Sequence, residues 1–84
     1  MVTSSDITSV AKTLQTAKSS LAMRTLIRGL FTEKEIEEFA RRIEIVKMVK
    51  KDVPQHKIAL TLGVGVATVT RGVREVNLGR FKNI

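Results

Sequence analysis

Apolar positions recur at three- and four-residue spacing along most of the chain, a period that predicts helices rather than strands. Ile7, Val10, Ala11, Leu14 and Ala17 form one such stripe, with Ser4, Ser5 and Asp6 as candidate N-caps in front of it. Leu21, Met23, Leu26, Ile27 and Leu30 extend the apolar content to an end near Gly29, and Ser19-Ser20 marks a break between two helices. Thr32 and Glu35 have the spacing of a capping box, with Phe31 as a hydrophobic staple, so a third helix starts there. Its expected buried face is Ile36, Phe39, Ala40, Ile43, Val46 and Val49, with Glu33, Glu37, Arg41, Glu44 and Lys47 towards water. Pro54 disfavours helical dihedrals at Val53 yet fits a first helical turn, so a short helix follows it. No stretch alternates cleanly enough to require a sheet. The expected fold class is all-α, a small helical bundle.

The stretch QHKIALTLGVGVATVTRGVR, which begins at Gln55, satisfies three separate demands of a helix-turn-helix. Counting Gln55 as first, the fifth residue, Ala59, is small enough for a second helix to pass close over it. The ninth, Gly63, accepts a left-handed backbone, and the fifteenth, Val69, plugs the angle between the helices. A generic helical hairpin also uses glycine turns and apolar plugs and stays open as the plainer alternative. Phosphate binding by Gly63-Val64-Gly65 is excluded, because the third glycine of a dinucleotide fingerprint is absent and the preceding segment reads as helix.

Composition narrows the function classes. At 84 residues the chain is one domain, and a core of this size leaves a lone monomer marginal, so self-association is expected. Without cysteine there is no disulfide or thiolate metal site, and the single His56 assembles no zinc site by itself. The longest mainly apolar stretch, residues 60–69, is broken by Thr and Gly and too short for a membrane span. The first residues show no secretory signal, so a cytoplasmic protein is expected. An enzyme is not expected either: His56 has no nucleophile in its sequence neighbourhood, and the acidic residues follow helix-surface spacing.

The formal charge of +7 is unevenly spread. Residues 53–84 carry Lys57, Arg71, Arg74, Arg80 and Lys82 against Glu75 alone. A basic, acid-poor segment suits a polyanion, since neutralising phosphates releases condensed counterions. Residues 66–77 would then be the recognition helix. Val66, Ala67, Thr68 and Thr70 are small enough to let its backbone approach base edges, with methyls for thymine and hydroxyls for bases or phosphates. Arg71 and Arg74 lie a turn further on, where phosphate contact and base reading are equally open, and Gln55, at the start of the preceding helix, suits a backbone contact. Ordinary helix-surface filling is the competing role for the two threonines.

RRIEIVKMV followed by PQHKIALTLGVGVATVTRG resembles the Trp repressor family over residues 28–76. The resemblance implies an intertwined, all-helical homodimer that binds operator DNA as a transcriptional repressor when L-tryptophan, the corepressor, occupies a pocket beside the recognition helix. By position, Arg42 and Arg71 match the two arginines that flank the indole, Gly72 the glycine that makes room for the ring, and Thr32 the threonine opening the preceding helix. Gln55, Val66, Ala67, Thr68 and Thr70 match positions at the DNA interface. Glu75 stands where the family has a serine that receives the ligand's amino group. Two arginines around a slot suit an aromatic carboxylate on physical grounds as well, since a guanidinium stacks on a ring and holds an anion. Arg42 has a plainer alternative, a surface pair with Glu38. The expected organisation is an N-terminal helical dimerisation region, residues 1–31, and a core helix with the DNA-binding region, residues 32–84. An effector-independent helix-turn-helix regulator and a small helical adaptor for an acidic protein remain the rival functions.

Overall fold

The structure, a computed structural model, describes residues 1–84 and contains five helices and no strand. They are α1 (Ser4–Gln15), α2 (Ser20–Leu30), α3 (Glu33–Lys50), α4 (Gln55–Leu62) and α5 (Val66–Asn77). The chain divides into two units, Met1–Ile36 and Glu37–Ile84.

In the first unit the helix starts are fixed by side chains. Thr3, not Ser4, Ser5 or Asp6, caps α1: its hydroxyl accepts the Asp6 amide at 3.0 Å while the Asp6 carboxylate accepts the Thr3 amide at 3.0 Å. The reciprocal acid three residues on selects Thr3 over the serines that follow it. Ser19 caps α2 through the Ala22 amide, so the break falls at the expected place. α2 continues through Gly29 to Leu30, and Phe31 turns extended at φ −115°. Thr32 and Glu35 form the expected box at the start of α3, with bonds of 2.9 and 3.1 Å. No residue of α1 or α2 is buried, and Ile7, Val10, Leu21 and Leu30 are exposed.

The second unit holds the core. Ile45, Ile58, Ala59 and Val69 form one buried cluster, with Met48, Val49, Val53, Leu62 and Val64 packed against it. On α3 the expected Val46 is buried and Ile36, Phe39 and Val49 are half-buried, but Ala40 and Ile43, also expected inside, are exposed, and Ile45, which was not expected there, is buried in their place. α4 and α5 cover the last turns of α3, and that packing turns Ile45 and Met48 inward. α3 ends without a glycine: Asp52 takes the left-handed conformation (φ 60°), which a short polar side chain tolerates, and the Val53 amide returns to the Met48 carbonyl at 3.1 Å. Pro54 then opens α4.

Candidate functional site

The α4–α5 turn is built by the three positions the motif requires. Ala59 is buried beneath α5, Gly63 adopts φ 64° and ψ 36°, and Val69 has no exposed surface. The amides of Gly63 and Val64 both return to the Ala59 carbonyl, which closes α4 and frees α5 to leave at an angle. At Gly63 a β-carbon would meet nothing within 4 Å, so it is the positive φ and not lack of space that requires glycine there.

α5 is thereby a separate rod, anchored by Val69, its only fully buried residue, and by half-buried Val73 and Val76. Its other side carries Val66, Ala67, Thr68, Thr70, Arg71 and Arg74, all exposed. Gln55 stands at the first turn of α4 and meets α5 directly: the Thr70 hydroxyl lies 3.0 Å from its side-chain oxygen and 3.0 Å from the Val66 carbonyl. The residues expected at a DNA interface thus share one exposed side of the α4–α5 pair.

A cleft of about 180 Å³ opens between α3 and α5. Arg42, Arg71, Gly72 and Glu75, four of the five residues expected around an effector, line it together. Thr32 belongs to the first unit, where its hydroxyl accepts the Glu35 amide. Four lining residues went unassigned to a ligand in the sequence: Ile45, Val46 and Phe81, which are apolar, and Thr68, expected only at DNA. The helical period of α3 could have pointed to Ile45 and Val46 beside Arg42, but no pattern signals Phe81.

The cleft is lined by both apolar and charged side chains. An engineered apolar cavity of about 150 Å³ holds benzene, so the space admits an aromatic ring. In this lining Glu75 is held by Arg80, whose Nε donates to the carboxylate at 3.1 Å; the Glu75 side chain is 28% exposed and that of Arg80 64%. With Arg42 and Arg71 also present, cationic groups outnumber the single carboxylate, and the field favours an anion. Arg42 makes no ion pair with Glu38; its guanidinium lies 5.6 Å from the centre of the Phe39 ring. A second hollow of about 360 Å³ shares Arg42, Ile45 and Thr68 and reaches residues 63–65 of the turn, with Glu38 and Arg41 on its wall.

Against known proteins, residues 5–82 match the family described as Trp repressor protein. Among curated relatives, a Trp operon repressor homolog of Vibrio vulnificus (strain YJ016) is 41% identical over 54 residues, covering 63% of this chain and 53% of that protein. The Trp operon repressor homolog of Vibrio parahaemolyticus serotype O3:K6 (strain RIMD 2210633) is 31% identical over 68 residues, 80% of this chain and 66% of the relative. That of Aliivibrio salmonicida (strain LFI1238) is 34% identical over 73 residues, 86% and 68%. The chain spans about half the length of the relative first named, and no solved structure matches it. The family is one of repressors and not of enzymes, and its match runs across α1 to α5 and through the angled turn at Gly63; the chain belongs to the Trp repressor family.

Proposed function

We propose that this chain is a sequence-specific DNA-binding transcriptional repressor that works as a homodimer and takes a small aromatic amino acid, L-tryptophan foremost, as corepressor in the cytoplasm of a bacterium. The observation that carries the proposal is the exposed, threonine-bearing side of α5, set off from α4 by Gly63 and flanked by unpaired Arg71 and Arg74. In this role Val66, Ala67, Thr68 and Thr70 meet base edges, while Gln55 and Arg74 meet the phosphate backbone. The docking geometry is that of the helix-turn-helix class, of which Trp repressors are themselves a standard example.

The first two helices support the proposed dimerisation. Helices of 12 and 11 residues that bury no side chain are marginal alone in water, and exposed Ile7, Val10, Leu21 and Leu30 give them an apolar surface for a second copy. Residues 1–31 are proposed as the dimerisation region and residues 32–84 as the core helix with the reading head.

The effector role rests on Arg42, Arg71, Gly72 and Glu75, with Thr32 added by family resemblance. Arg42 belongs to the core helix, whereas Thr68 and Arg71 belong to the reading helix, so a ligand bound between them sets the attitude of α5. Only a ligand that binds the DNA-competent attitude more tightly shifts the balance, by 1.4 kcal/mol for about each tenfold of preference. Glu75 favours a second reading, a regulator that needs no effector, because a carboxylate beside Arg71 competes with the ligand's own. Calorimetric titration with L-tryptophan, alone and with operator DNA present, separates the two. Heat of binding and tighter DNA association support the corepressor; DNA binding indifferent to L-tryptophan removes it.

A further inference from the structure

After α5 the chain does not run free. Gly79 takes a left-handed conformation (φ 79°), and the Arg80 amide returns to the Glu75 carbonyl at 3.2 Å, so residues 78–84 fold back towards α3. Two side chains tie this segment down. Arg80 grips the Glu75 carboxylate, and the Lys50 ammonium, at the end of α3, donates to the main-chain oxygens of both Phe81 and Ile84. The result is a half-buried Phe81 standing on the cleft beside Ile45, Val46 and Gly72.

We propose that Phe81 is a ligand-contacting residue: its ring is the aromatic wall against which the ring of the bound amino acid packs, and Lys50 is the residue that positions it. The proposal rests on the effector reading above and deepens it by assigning selectivity for aromatic over aliphatic side chains. Apolar Ile45, Val46 and Phe81 and charged Arg42, Arg71 and Glu75 line the same cleft, and a zwitterion with a flat apolar end finds partners of both kinds there. With its carboxylate at Arg71 and its ammonium at Glu75, the bound amino acid has Phe81 in the same cleft for its ring, and offset or edge-to-face contact there adds attraction that an aliphatic group lacks. Four hydrogen bonds to residues 80–84 hold the wall in place before a ligand arrives, so little ordering remains to oppose binding.

The chain contains neither Trp nor Tyr, so bound L-tryptophan is the only indole in the complex and its fluorescence reports on the cleft directly. L-Tryptophan is titrated into the full chain and into Phe81→Ala, Phe81→Leu, Lys50→Met and Lys50→Arg, with L-leucine as competitor in each. Burial against Phe81 gives a blue-shifted emission; Phe81→Ala weakens L-tryptophan about tenfold, the loss of an aromatic contact together with its buried area. Phe81→Leu, which keeps apolar bulk and folds where alanine does not, loses affinity for L-tryptophan but not for L-leucine. Lys50→Met weakens L-tryptophan and Lys50→Arg restores it. Unchanged or tighter binding by Phe81→Ala overturns the proposal, the latter because it makes Phe81 a plug. Equal losses for tryptophan and leucine overturn it too, since they mark a purely structural residue. Failure of the unaltered chain to bind L-tryptophan defeats the effector reading itself, and the proposal with it.

Discussion

Gly72 and Ile45 approach so closely that a β-carbon on residue 72 would stand 2.7 Å from Ile45 Cγ2. Glycine inside a helix costs about 1 kcal/mol relative to alanine, and here the bare backbone lets α5 seat itself on the core. Ile45 is 2% exposed and β-branched, so its methyl cannot swing aside cheaply. The same glycine lines the cleft, so packing and room for a ligand call for the same residue.

Gly72→Ala therefore destabilises the fold by about 1–3 kcal/mol, overpacking outweighing the gain in helix propensity. In an Ile45→Leu background, where the branch has moved away from the β-carbon, the same substitution does less harm. Urea denaturation followed by circular dichroism measures both. A neutral or stabilising Gly72→Ala means that α5 does not sit this close.

The Thr70–Gln55 contact links two residues proposed to touch DNA. Thr70→Val keeps the shape and removes the hydroxyl; both partners are exposed, so stability falls by no more than about 1 kcal/mol. Thr68→Ala and Thr70→Val weaken binding to a selected operator more than to random duplex. Parallel titrations read the difference, and equal losses on the two duplexes exclude base reading by these side chains.

Arg80 is proposed to balance Glu75 in the lining of the cleft. Its pair is partly solvent-exposed and worth under about 1 kcal/mol, so Arg80→Ala leaves the melting temperature nearly unchanged. It also leaves the Glu75 charge uncompensated, which favours tryptamine, an indole with an ammonium alone, over indole-3-propionate, an indole with a carboxylate alone. Competition against L-tryptophan fluorescence measures that ratio. No shift between the two ligands would mean that neither charge reaches the bound molecule.

The helix starts carry a pH dependence of known sign. The Thr32 amide, and then its hydroxyl, hold the Glu35 carboxyl below the usual glutamate range, and the Thr3 amide and hydroxyl do the same for Asp6. A carboxyl whose pKa is lower in the folded chain contributes stability above its unfolded pKa, and that contribution is lost as pH falls through the folded value. Helix content by circular dichroism therefore declines on acidification below the ordinary carboxylate range. Glu35→Gln or Thr32→Ala flattens part of that decline, and an identical acid profile in these variants contradicts the capping role.

The turn was legible in the sequence because backbone geometry dictates residue type there: a left-handed φ requires Gly63, and a close crossing requires something as small as Ala59. Arg42, Arg71, Gly72 and Glu75 could be placed only through family resemblance, yet they converge on one cleft. On α3 the helical period places Val46 and Val49 inward, as found, but it also favours Ala40 and Ile43, which are exposed, over Ile45, which is buried, because the helix carries more apolar positions than one face holds. Only the packing of α4 and α5 decides between them. Asp52 as a left-handed helix stop escaped notice beside the louder Pro54. Phe81 has no periodic partner at all; its position depends on the reversal at Gly79, on the nearby Arg80–Glu75 contact and on a tether from Lys50, which is distant along the chain.

Selection of bound duplexes from a random pool, with and without L-tryptophan, tests most directly whether α5 is the reading head of a ligand-switched dimer. The expected result is a two-fold symmetric consensus, enriched only or chiefly with L-tryptophan, with half-sites about one helical turn, roughly 34 Å, apart. Retention of duplexes without any base preference, at either ligand condition, would contradict it.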